Sequence, residues 1–155
     1  MLKTILKTMM MLMLLNSIGF ASKPFQIGDA IGTFSLANQF DKKQTIDASV
    51  RTILVSFQKD TGANVNAFLT QQKADFLSQH HAVFIANISG MPMIITKMFA
   101  LPKMRNYEHS ILLIYDENDQ RFESQEGKTT VYKLDKGVIQ HIDFITHEAL
   151  SSLFQ

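Results

Sequence analysis

Apolar residues along this chain fall into two alternating kinds of pattern. Thr52–Phe57 and Ala82–Ile88 are short, nearly unbroken apolar runs rich in β-branched residues. Runs of that length with polar flanks predict strands buried on both faces. Between them, Val65, Phe68, Leu69, Phe76 and Leu77 recur at helical spacing, while Gln71, Gln72, Lys73 and Asp75 take the opposite side. That spacing predicts a helix capped by Asn64 and ending near Gln79. Strand, helix, strand over this distance implies parallel pairing with a right-handed crossover. A second helix is expected after Ser89, its cap, with Pro92 in the first turn and Pro102 ending or kinking it. Its inner stripe would be Met91, Ile94, Ile95, Met98 and Phe99. Ile111–Tyr115 predicts a third buried strand. Thr129–Leu134 and Val138–Ile142 flank the turn Asp135-Lys136-Gly137 and predict a hairpin. An earlier hairpin is expected from Thr33–Ala37 and Gln44–Ile46 around Asp41-Lys42-Lys43. Thr146 is the expected cap of a last helix carrying Leu150, Leu153 and Phe154, with Glu148 in its first turn.

The first segment follows neither pattern. Lys3 and Lys7 precede an apolar stretch from Thr8 to Ile18, and Gly19 and Ala21 then place small residues two apart. This is the layout of a secretory signal cleaved after Ala21. The apolar stretch is about half the ~20 residues needed to span a bilayer. The expected organisation is a signal peptide over 1–21 and one domain over 22–155, exported to the periplasm and without a membrane span after cleavage. Removing Lys3 and Lys7 turns the net charge from +1 to −1.

Composition narrows the chemistry. The chain of 155 residues is 46% hydrophobic and 19% charged, enough apolar content to build a core. No Lys/Arg run reaches four residues, so sequence-independent nucleic-acid binding has no basic stripe to work with. There is no cysteine. Disulfides, thiolate nucleophiles, iron–sulfur clusters and thiolate zinc sites therefore have no ligand or nucleophile in this chain.

The order hairpin, β, α, β, α, β, β-hairpin, α resembles the thioredoxin-like superfamily, in its exported peroxiredoxin and thiol–disulfide reductase branch. Phe34-Ser35-Leu36 followed by Asp41-Lys42-Lys43 and Ile46 resembles that branch's opening hairpin. Ile53-Leu54-Val55-Ser56-Phe57 resembles the strand leading into its Cys-x-x-Cys, and Ile111–Asp116 the inserted strand ending in Asp. Thr129-Thr130-Val131-Tyr132 with Asp135-Lys136-Gly137 and Val138-Ile139 resembles its late hairpin. The resemblance covers about Gly28 to Phe154 and implies an α/β protein: a three-layer α/β/α sandwich with a mixed central sheet and an N-terminal β-hairpin. It also marks departures. The two catalytic cysteines would fall at Gly62 and Val65, and the family's cis-proline at Lys128. Thiol exchange needs a thiolate to attack sulfur, so thiol–disulfide and cysteine-peroxidase chemistry are excluded.

What remains is a location. Lys59, Asp60, Thr61, Gly62 and Asn64 would form a loop from the carboxyl end of a strand to a helix N-terminus, with Lys128 approaching from the facing loop. Ligands favour that place in open α/β sheets, and its N–H groups attract anions. The expected role is a redox-inactive binding or chaperone-like module, without a cofactor, for another periplasmic protein or a small anionic ligand. An alternative is non-thiol catalysis in the same groove, with Thr61 as the hydroxyl and Lys59 or Lys128 stabilising an anion. Another is metal handling by His141, Asp143 and His147. His80, His81, His109, His141 and His147 match no metal-binding spacing and are expected on the surface. Met91, Met93, Met98 and Met104 are expected as core filler rather than copper ligands.

Overall fold

The computed structural model describes residues 23–155. The expected signal peptide lies outside the described residues. The β-branched runs form a seven-stranded mixed sheet of β1 (Phe34–Asn38), β2 (Lys43–Ile46), β3 (Thr52–Ser56), β4 (Ala82–Asn87), β5 (Leu112–Ile114), β6 (Thr129–Asp135) and β7 (Val138–Ile145). Their spatial order is β2-β1-β5-β4-β3-β6-β7. β3, β4 and β5 are mutually parallel at the centre, and each outer hairpin pairs antiparallel with them through its inner strand, β1 on β5 and β6 on β3. The parallel core follows from the apolar runs: every residue of β3 is buried.

Strand alternation divides the apolar residues between two faces. Ile53, Val55, Val83, Ile85, Leu112, Ile114 and Tyr132 share one core. Leu54, Phe84, Ala86, Leu113 and Val131 point into the other. The second face is covered by α1 (Lys59–Thr70), through Val65 and Leu69, by α2 (Phe76–Gln79), through Leu77, and by the C-terminal residues Leu150 and Leu153. The first face is covered by Phe25, Ile31, Phe57 and Phe122, which lie outside helices. The stretch between β5 and β6 forms no helix because its two large apolar residues, Tyr115 and Phe122, make no helical repeat. This layer is thus extended chain and loop among the described residues.

The N-terminal stretch is also tied to the sheet. Gly28 N–H donates to Ile139 O at 2.8 Å, Ile31 N–H to Gly137 O at 2.9 Å, and Ile139 N–H to Asp29 O at 3.0 Å. These bonds occupy the outer side of β7 near its start. Gly137 takes the left-handed backbone that the hairpin turn requires, with φ of 79°.

Several element boundaries differ from expectation. The first helix begins at Lys59 with Gln58 as cap residue, so Asn64 lies inside it. It also stops at Thr70, whose hydroxyl donates back to Asn66 O at 2.7 Å, a bond that competes with helix continuation. Ser89 caps nothing: its hydroxyl donates to Asn87 Oδ1 at 2.7 Å. The second helix, α3, spans 93–104 and contains a π segment, Thr96–Ala100, between α-helical turns. Pro102 sits in its final turn rather than ending it. Its missing N–H falls where the ladder has already shifted, with Leu101 N–H reaching Thr96 O. The last expected helix is two 3₁₀ turns, His147–Ala149 and Ser151–Phe154.

Candidate functional site

Parallel strands end together, and this sheet directs the carboxyl ends of β3, β4 and β5 to one edge. At that edge β3 passes through Phe57 and Gln58 into α1. Thr61 secures the turn. Its hydroxyl donates to Gln58 O at 3.0 Å and lies 3.3 Å from Gln58 N–H, which donates to it. Gln58 in turn accepts a bond from Gly127 N–H through Oε1 at 2.7 Å. That bond fastens the start of α1 to the loop before β6. Antiparallel pairing of Val55 with Thr130 brings the same two segments together from the sheet side.

Lys59, Asp60, Thr61, Gly62, Asn64 and Lys128 therefore occupy one end of the molecule, but not as a loop. Lys59, Asp60, Thr61, Gly62 and Asn64 are all helical residues of α1. Lys59, Asp60 and Asn64 are exposed, Lys128 is half-buried, and Thr61 is buried. Gly62 packs against the end of β3: a Cβ there would lie 3.2 Å from Ser56 Oγ. Val65 is fully buried. The two positions expected to align with thiols are thus a helix–strand contact and a core residue. Thr61 spends its hydroxyl on the Gln58 backbone, which leaves it a structural part rather than a nucleophile. Position 128 joins a chain whose described residues contain no cis peptide bond.

Beside this edge lies an open cleft of about 510 Å³, lined by Phe57, Asn87, Glu117, Asp119, Phe122 and Glu123 among others. Phe57 and Asn87 are the last residues of, or just beyond, two parallel strands. Strand direction alone carries that signal, since ligands gather beyond strand ends; the residues between β5 and β6 that complete the lining have no pattern of their own. Arg121 reaches Asp119 in a two-pronged pair, Nε to Oδ1 at 2.8 Å and an Nη to Oδ2 at 2.6 Å. Burial pushes the Asp119 carboxyl up, but the Arg121 bonds outweigh it and hold the group below its ordinary range. The guanidinium also stacks over Phe34 at 4.1 Å. The back wall is fixed by Tyr132, whose buried hydroxyl accepts from Glu123 N–H at 2.7 Å. Burial drives that phenol up to about 12. On the far side of the edge, a hydrogen bond from Thr146, with smaller help from His147 and Lys128, holds Glu148 below its usual range.

The histidines do not assemble. His147 contacts Glu148 at 3.4 Å, and His141 and Asp143 are exposed on β7. No group of three His, Cys, Asp or Glu side chains is placed to hold a metal among the described residues. His109 corrects the surface expectation: it is buried, with Nε2 2.8 Å from Asn66 Oδ1 and its ring stacked on Tyr107. Gln39 completes this interior network, donating to His109 O at 2.9 Å and accepting from Ile111 N–H at 2.9 Å. Polar partners just after β1 and on α1, 43 or more residues away from the 109–111 stretch, made this burial invisible to local pattern.

No protein-family model and no curated protein matches the chain. Solved structures do. The peroxidoxin BcpB of Mycobacterium tuberculosis superposes with a TM-score of 0.54 at 14% identity, over 83% of this chain and 93% of that one. A putative thioredoxin of Neisseria meningitidis gives 0.52 at 14% identity, over 84% and 87%. A thiol-disulfide oxidoreductase of Bacteroides fragilis gives 0.50 at 17% identity, over 81% and 96%. At such identities the likeness is one of architecture, and it agrees with the strand order. The chain is an α/β protein of thioredoxin-like fold. It carries this fold without a single cysteine, so thiol chemistry has no residue to perform it.

Proposed function

We propose that this protein is an exported binding module that uses the edge where redox relatives of the fold carry their thiols. Lys59, Asp60, Gly62, Asn64 and Lys128 form the contact zone; the neighbouring cleft, lined by Glu117, Asp119 and Glu123, lies outside it. The occupant is a small anion or an acidic segment of another exported protein, drawn by the two lysines and by the N-terminus of α1. The observation that carries this reading is the Gln58–Gly127 hydrogen bond. It locks the helix start and the facing loop into one surface, so a ligand meets a prepared site. Cleavage after Ala21 would deliver the module to the periplasm.

The test is site-specific photocrosslinking in living cells. A crosslinker at position 59 or 128 should capture the same partner, and one at Lys43, on the opposite sheet margin, should not. Charge reversal at Lys59 and Lys128 together should reduce that capture by about tenfold or more, since each exposed cation near an anionic partner is worth roughly 1 kcal/mol. Equal capture from all three positions would remove the assignment.

A further inference from the structure

The helix α3 contradicts its own sequence pattern. Most of the stripe expected to face inward faces water: relative exposure is 65% at Ile94, 42% at Ile95, 62% at Met98 and 65% at Phe99, and Met93 beside it, expected as core filler, is 54% exposed. None of these five belongs to either core, whereas Leu101 and Met104 of the same helix pack against the second. Together they leave roughly 600 Å² of apolar side-chain surface in solvent, at the upper end of what a soluble monomer carries without a purpose.

Arrangement and charge indicate what covers it. The exposed residues Ile94, Ile95, Met98, Phe99 and Pro102 fall at i, i+1, i+4, i+5 and i+8 and share one arc of the helix. Buried Thr96 and half-buried Ala100 lie on the opposite side. Exposed Lys97 and Lys103 stand on the two shoulders of the arc, and exposed Arg105 follows at its end. From Gly90 to Tyr107 the sequence contains no Asp or Glu. A second copy meeting this face across a two-fold axis would double the positive charge with no carboxylate from the segment to offset it. An anionic surface satisfies both features, taking the apolar arc into its acyl boundary and the cations at its phosphates.

We infer that α3 is an interfacial membrane-docking helix, which lays Ile94, Ile95, Met98 and Phe99 into the headgroup region of an anionic bilayer while Lys97, Lys103 and Arg105 engage lipid phosphates. No helix among the described residues is long and apolar enough to cross a membrane, so the contact is with the surface. Cleavage of the N-terminal signal would then leave the domain a second, reversible route to the membrane.

Vesicle partition of the full chain tests this, with the apolar residues 9–15 common to every variant. Phosphatidylcholine vesicles are compared with vesicles in which a third of the lipid is phosphatidylglycerol. The expected result is sedimentation with the anionic vesicles, lost on raising salt. The triple variant Ile94→Glu, Met98→Glu, Phe99→Glu should abolish the preference, and Lys97→Glu with Lys103→Glu should weaken it by more than about fivefold per site. Because these side chains are exposed, the variants should keep the parent circular dichroism. The chain has no tryptophan, so Phe99→Trp supplies a reporter whose emission should shift to the blue with anionic lipid only. Partition unchanged by the triple variant, equal binding to neutral vesicles, or a dimer that the triple variant dissolves without any vesicle binding would each overturn the inference. None of these outcomes bears on the Lys59–Lys128 edge.

Discussion

Burying an imidazole favours its neutral form, because the charged form loses more hydration. His109 shows the consequence: burial pulls it below its ordinary 6.5. Above 6.5 the ring is neutral both folded and unfolded, and contributes no pH dependence. As pH falls through 6.5 the unfolded chain takes a proton that the folded chain still refuses, so stability is lost until the folded value is reached. The groups against the ring, Asn66 on α1 and Tyr107, carry no carboxylate to reverse the sign, and the adjacent Glu108 is exposed to solvent. Urea unfolding across pH 7.5 to 5 should therefore show a falling midpoint, and His109→Gln should flatten that slope even if it lowers the plateau. At this scale the sequence is weakest. A buried histidine and an exposed one look alike until residues 39, 66 and 109 are brought together by topology. Lys59 and Lys128, by contrast, were placed at one edge because strand direction alone dictates where β3 ends and β6 begins.

Elements were legible where apolar runs were continuous. β3 and β4 sit within a residue of their expected bounds, since a strand buried on both faces has no other way to read. The helix start was not legible, because the bonds that set it belong to Gln58 and Thr61 rather than to Asn64. The inner stripe of α3 failed for a different reason. Helical spacing reveals that apolar residues share a side but not that the side faces the core. The junction at Gln58 carries its own expectation. Gln58→Ala removes the acceptor of Gly127 N–H, at a cost of about 1 kcal/mol. Amide exchange at Gly127 should accelerate while exchange within the buried strand β3 stays nearly unchanged. Uniform acceleration across the sheet would mean that the bond supports the whole fold rather than the edge.

Taken whole, the molecule keeps a thioredoxin-like frame while its two faces are built unequally, helices on one and loose chain on the other. The frame follows from strand order, and the lopsided covering follows from a stretch after β5 too poor in apolar residues to make a helix. That imbalance gives residues 23–31 a task beyond filling space. They grip the start of β7 through Gly28, Asp29 and Ile31, and an outermost strand stripped of its neighbour invites another chain to stack on it. Trimming after Ala21 leaves the grip intact; trimming after Ile31 releases it. The shortened chain should scatter light on mild warming where the longer one stays clear, so a short stretch at one margin would decide between a dispersed protein and the seed of a precipitate.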